Sequence, residues 1–115
     1  MHKFDFKDKT AVVTGGAQGF GLDIAKRFLA GGAKVFIWDI DEKLLTSAID
    51  EIKNPNLNYN LVDVSDFRKV DSAVSKILEN NNIDILINNA GITGPTDPLW
   101  EYDVDMWSKI VQINL

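Results

Sequence analysis

The chain has 115 residues, of which 45% are hydrophobic, 25% charged and 10% aromatic, a composition that suits one folded domain rather than a disordered segment. Its net charge of −5 and sequence pI near 4.7 argue against a nucleic-acid or anionic-membrane surface, which would need a basic patch. Cysteine is absent, which excludes disulfides and thiolate metal sites.

Residues 1–9 form a polar lead-in with alternating Phe4 and Phe6, expected to cover the edge of the first strand. They contain no apolar core for a signal peptide, and no later apolar run approaches a membrane span. A cytoplasmic location is the expectation. His2, the single histidine, has no second ligand beside it and reads as a surface residue rather than a metal ligand.

Residues 10–14 (Thr-Ala-Val-Val-Thr) read as a strand that is apolar on both faces, as in a parallel sheet buried between helix layers. A turn at residues 15–21 follows. Leu22, Ala25, Phe28 and Leu29 then recur at helical spacing until Gly31 and Gly32 end the helix. Residues 34–38 (Lys-Val-Phe-Ile-Trp) form a second strand with Asp39 at its carboxyl end. Asp41 caps a helix whose apolar face is Leu44, Leu45, Ala48, Ile49 and Ile52, broken by Asn54-Pro55-Asn56.

A more polar strand at residues 57–62 follows, nearer the sheet edge, and then Asp63. Ser65 or Asp66 caps a third helix carried by Val70, Ala73, Val74, Ile77 and Leu78. Residues 83–87 (Ile-Asp-Ile-Leu-Ile) are the fourth strand, running into Asn88-Asn89-Ala90-Gly91. A loop with Pro95 and Pro98 leads to Asp103, which is expected to cap a last helix with Val104, Trp107, Ile110, Val111 and Asn114 on one side.

Strand–helix alternation of this kind predicts an α/β fold of Rossmann type. It would be the first half of a doubly wound parallel sheet in the order 3-2-1-4, with helices on both faces. Ligands of such sheets bind beyond the carboxyl ends of the strands. The chemically distinctive residues gather there.

The glycine spacing is Gly15-x-x-x-Gly19-x-Gly21. Gly15 permits a tight turn out of the strand, and Gly19 and Gly21 let the backbone approach a pyrophosphate and the helix pack on the sheet. The helix N-terminus adds partial positive charge. A tight structural turn is the plain alternative. Asp39 sharpens the reading, because a carboxylate there accepts hydrogen bonds from both hydroxyls of an adenosine ribose and repels a 2′-phosphate. NAD is therefore favoured over NADP, and no Arg or Lys occurs in residues 15–21 or at Ile40 and Asp41. The alternative role for Asp39 is a loop or cap residue. Asp63 could accept from an adenine amino group or serve a turn. Asn114 places an amide on an apolar face, where structural and functional roles both stand. Trp38, Trp100 and Trp107 read as packing residues.

Taken together in order, Thr14-Gly15-x-x-x-Gly19-x-Gly21, Asp39, Asp63-Val64, Asn88-Asn89-Ala90-Gly91 and Asn114 in Ile-Asn-Leu resemble the short-chain dehydrogenase/reductase family, over all 115 residues. The general look is similar to 3-oxoacyl-(acyl-carrier-protein) reductase-like and sugar or polyol dehydrogenase-like members. The resemblance implies that Gly15, Gln18, Gly19, Phe20 and Gly21 surround the pyrophosphate and its ribose. It implies that Asp39 selects NAD, that Asp63 and Val64 hold adenine, and that Asn89, Ala90 and Gly91 border the adenosine ribose. Asn114 would be the asparagine of the family's Asn-Ser-Tyr-Lys tetrad, holding a proton-relay water. The implied reaction is hydride transfer between nicotinamide and a small carbonyl or alcohol substrate, in a full-length form expected to be a homo-oligomer. No metal, nucleic acid or membrane is implied.

No Tyr-x-x-x-Lys occurs in the chain, since Tyr59 is followed four residues on by Asp63 and Tyr102 by Met106. The expectation is a cofactor-binding domain over residues 1–115, cut before the catalytic region. A catalytically inactive dinucleotide-binding module is the alternative, and a methyltransferase-like fold is disfavoured by the glycine spacing. Low stability is also expected, because the fourth strand would expose an apolar edge.

Overall fold

A computed structural model describes residues 5–89 and 111–114. Strand β1 (Thr10–Thr14) leads into helix α1 (Gly19–Ala30), β2 (Lys34–Asp39) into α2 (Glu42–Ile52), and β3 (Leu57–Leu61) into α3 (Phe67–Leu78). Strands β4 (Ile85–Asn88) and β5 (Val111–Asn114) follow. The sheet order is β3-β2-β1-β4-β5, with every pairing parallel. The doubly wound α/β arrangement is thus present in its 3-2-1-4 order, with one further strand beyond β4.

The two-sided apolar pattern of β1 has a direct cause. Ala11 and Val13 join Val35, Ile37 and Ile87 in a core closed by Ala25, Phe28 and Leu29 of α1 and Leu45 and Ala48 of α2. Val12 points the other way, into a second core with Phe36, Trp38 and Leu86, closed by Val70, Ala73, Val74 and Ile77 of α3. Successive strand residues alternate faces, so a strand between two helix layers must be apolar at every position. The side chain of Trp38 is wholly buried, and its indole N–H donates to Asn60 Oδ1 at 3.0 Å.

Local chemistry sets the helix ends. Asp41 caps α2 by accepting from the Leu44 N–H at 3.1 Å. Of the two candidates for α3, Asp66 is the cap, accepting from the N–H groups of Arg68 and Lys69 at 3.0 and 3.4 Å. Ser65 is unavailable, because its hydroxyl donates to Asp63. Gly32, at φ +93°, carries the chain away from α1.

Four expectations are corrected. Strand β4 begins at Ile85 rather than Ile83, because Asp84 turns its carboxylate to the Thr10 N–H at 2.9 Å and closes the amino end of the β1–β4 pair. Phe6 covers no strand edge, since β1 lies between β2 and β4; its ring packs on Phe28 of α1, centroids 4.7 Å apart. Phe4 lies outside the described residues. Residues 111–114 are a strand, not the end of a helix: Val111-Gln112-Ile113-Asn114 pairs in register with Ile85 to Asn88. The alternation of β-branched and polar residues suits the strand, and pairing satisfies the open edge of β4. That pairing also removes the exposed β4 edge on which the low-stability expectation rested. The start of the expected last helix, residues 103–110, lies outside the described residues.

Candidate functional site

The site is built at the carboxyl rim of the sheet. Backbone register aligns Asn60, Trp38, Thr14, Asn88 and Asn114 across β3, β2, β1, β4 and β5. The glycine turn rises from the middle of this row. Gly15 takes φ +61° and Gly19 φ +59°, in the left-handed region that a side chain disfavours. The space beside Gly19 is open, with nothing within 4 Å of where a Cβ would stand.

Gly21 is required for a different reason. A Cβ there would fall on the Gly15 carbonyl oxygen and 2.7 Å from Asn89 Nδ2. The first turn of α1 is therefore in backbone contact with the end of β1. Gly16, not singled out by the spacing, is equally constrained: a Cβ would meet Ile37 Cγ2 at 2.7 Å and the Val13 carbonyl at 2.8 Å. Its place beside Gly15 was the only sequence signal.

Helix α1 starts unlike the other two. Its N-cap residue, Gln18, makes no side-chain cap bond. The first N–H groups of a helix have no intrahelical partner. In α2 and α3 an aspartate takes some of them; in α1 no N-cap side chain does. Phe20 stands beside this opening with 79% of its surface exposed.

Asp39 ends β2 against the turn. Its Oδ2 accepts from the Ala17 N–H at 3.3 Å, while Oδ1 accepts from Ile40 and Asp41 at 2.8 and 3.3 Å. Asn89, at the end of β4, donates its side-chain amide to the Gly15 carbonyl at 3.2 Å and its backbone N–H to Thr14 Oγ1 at 2.9 Å. Thr14 is fully buried, and its hydroxyl lies 3.1 Å from Asn88 Oδ1. This residue was missed as a site member. A hydroxyl at the end of a buried apolar strand was the available signal, because such a group must find partners.

Asp63 follows β3. Its Oδ1 accepts from the Ser65 hydroxyl at 2.6 Å and the Ser65 N–H at 2.9 Å. These two bonds, the hydroxyl first, hold its carboxyl below the ordinary value of 3.8. Turn-forming is therefore a real function of Asp63, and its ionised second oxygen faces solvent. Val64 is buried in the α3-side core. Gln18 is exposed. Ala90 and Gly91 lie outside the described residues, and Asn114 is placed by its backbone alone, beside Asn88. Among the described residues no group of three or more His, Asp or Glu could hold a metal ion, and no helix is long and apolar enough to cross a membrane.

The family model described as short chain dehydrogenase matches residues 9–115. The chain belongs to the short-chain dehydrogenase family. Among curated relatives of this short-chain dehydrogenase chain, the 2-dehydro-3-deoxy-L-rhamnonate dehydrogenase (NAD(+)) of Sphingomonas sp. (strain SKA58) is 38% identical over 111 residues, 96% of this chain and 44% of that protein. The 3-oxoacyl-(acyl-carrier-protein) reductase FabG of Chlamydia muridarum is 39% identical over 112 residues, 94% of this chain and 45% of that protein. Among solved structures, the Pseudomonas aeruginosa RhlG/NADP active-site complex matches with a TM-score of 0.70 at 28% identity, covering 96% of this chain and 42% of that one. The chain spans less than half the length of the proteins it matches.

Proposed function

We propose that this chain is the cofactor-binding portion of an NAD(H)-dependent short-chain oxidoreductase acting on a small carbonyl or alcohol substrate. The observation that carries the reading is Asp39. Its carboxylate stands at the end of β2 beside a helix start that no side chain caps. A pyrophosphate would meet the uncapped N–H groups at the start of α1, and an adenosine ribose beside it would reach the carboxylate. Asp39 would disfavour a 2′-phosphate through like charge.

The residues present fit such a cofactor. Gly19 leaves open space at the turn, and Gly15 and Gly21 bring backbone where side chains would obstruct. Gln18 and Phe20 would flank the pyrophosphate and its ribose. Asp63 and the backbone of Val64 would meet the adenine, and Asn89, Ala90 and Gly91 the ribose. Asn114 would hold the water of a proton relay, consistent with its place at the same rim. When bound, the nicotinamide supplies or accepts the hydride.

A second reading is a dinucleotide-binding module without turnover, which the same uncapped helix start and Asp39 would serve equally. Titration with NADH and NADPH, followed by nicotinamide fluorescence, tests what the two readings share. NADH is expected to bind at least about tenfold more tightly, a difference of roughly 1.4 kcal/mol. Equal or tighter NADPH binding rejects the role given to Asp39. Alcohol-dependent reduction of NAD+ by the protein that carries this chain together with a Tyr-x-x-x-Lys region supports the enzyme, and dinucleotide binding without such reduction supports the module.

A further inference from the structure

We propose that Asp39 is also a positioning residue for the phosphate-binding turn, acting through Ala17 independently of any contact with ribose. The proposal rests on the reading that the turn binds the diphosphate of an adenosine cofactor. Ala17 lies within the turn, its side chain only 4% exposed, and its N–H has Asp39 Oδ2 as partner at 3.3 Å. The carboxylate is itself held from the other side, because Oδ1 takes the Ile40 and Asp41 N–H groups. The Gly16 N–H adds a parallel tie to the Trp38 carbonyl at 3.1 Å. Three backbone donors from two segments thus converge on one carboxylate and lock the turn to the end of β2 before any ligand arrives.

This second role makes a prediction opposite in sign to simple electrostatics. Removing a negative charge beside an anion site should strengthen anion binding or leave it unchanged. If Asp39 organises the turn, removing its charge weakens binding even of a diphosphate that offers no ribose hydroxyls. Pre-organised donors bind more tightly because less order must be imposed on binding.

The informative variant is Asp39→Asn. Its amide oxygen can keep the Ile40 and Asp41 N–H groups, but its NH2 then faces the Ala17 N–H, donor against donor. Two readings are taken on this chain. Amide hydrogen exchange without ligand is expected to rise at least about tenfold at Ala17 while Val12 and Val13 of β1 stay protected. Binding of 2′,3′-dideoxyadenosine diphosphate, which lacks both ribose hydroxyls, is expected to weaken by roughly five- to tenfold. Unchanged exchange at Ala17, or dideoxy-nucleotide binding as tight as in the unsubstituted chain, overturns the proposal.

Should the variant lose protection throughout β1, the decision falls to the unsubstituted chain. A through-hydrogen-bond coupling between Ala17 15N and the Asp39 carboxyl 13C supports the strut, and its absence at full protection of β1 overturns it. Failure of the unsubstituted chain to bind any adenosine diphosphate rejects the cofactor reading instead, because the exchange and coupling readouts need no ligand.

Discussion

The side-chain amide of Asn89 donates to the carbonyl of Gly15 at 3.2 Å, joining residues 74 positions apart in the chain. A Cβ at Gly21 would collide with the same two groups. The end of β4, the exit of β1 and the first turn of α1 are therefore one unit. Substituting Asn89 by Ala removes the donor and leaves the Gly15 carbonyl without that partner. The expected cost is about 1 kcal/mol of unfolding free energy in urea titration, with weaker NADH binding. Unaltered stability and affinity would mean that the turn holds its shape without this bond.

Two glycine substitutions separate space from backbone conformation. In Gly21→Ala the new Cβ meets backbone at Gly15, which cannot yield without moving β1 or α1. A loss of about 1–3 kcal/mol is expected, with NADH binding abolished. In Gly19→Ala the space is open and only the φ of +59° opposes the change, so about 1 kcal/mol is expected. Chemical denaturation of both variants checks the order. A larger loss at Gly19 would contradict it.

Thr14→Val keeps the volume of a fully buried side chain and deletes the oxygen that accepts the Asn89 N–H. A loss of about 1 kcal/mol is expected, the cost of a lost hydrogen bond to a half-buried donor. Thr14→Ser retains the hydroxyl and should keep Asn89 protected in amide exchange, despite the lost methyl. Equal exchange at Asn89 in the Val and Ser variants would remove the hydroxyl from the account.

The Asp63 carboxyl titrates below 3.8 because the Ser65 hydroxyl and then the Ser65 N–H stabilise its ionised form. A carboxyl depressed in the folded state adds stability above its unfolded value, and that contribution disappears as pH falls through the folded value. The window therefore opens near pH 4 and extends downward, and the solvent exposure of Asp63 keeps the effect small. Ser65→Ala should move the Asp63 carboxyl 13C titration midpoint up toward 3.8. A midpoint unmoved by that change would assign the depression to another cause.

Much of the fold is legible in single residues. The two-sided apolar runs Ala11-Val12-Val13 and Val35-Phe36-Ile37-Trp38 have no place except between two helix layers, and Asp41 announces the start of α2. Asp63 was readable as a turn or ligand residue and shows the turn bonds directly. Gly16 and Thr14 were not legible as site members. Their constraints come from Ile37 and Asn89, residues far along the chain, and the local signals, a glycine beside Gly15 and a hydroxyl at the end of an apolar strand, do not name those partners. Residues 111–114 misled because an apolar stretch with helical spacing can also alternate as a strand, and the open edge of β4 settles the choice.

Sequence alone determined the alternation of strands and helices, the parallel sheet and the rim to which Gly15, Asp39, Asp63 and Asn89 belong. Those features follow from local periodicity and from the handedness of the crossovers, which any stretch of chain carries within itself. Only the tertiary structure decided what each residue holds. It gave Asp39 to Ala17, Asn89 to Gly15, and the edge of β4 to β5. A hydrogen bond requires two groups within about 3 Å, and that proximity exists only once the distant segments have packed.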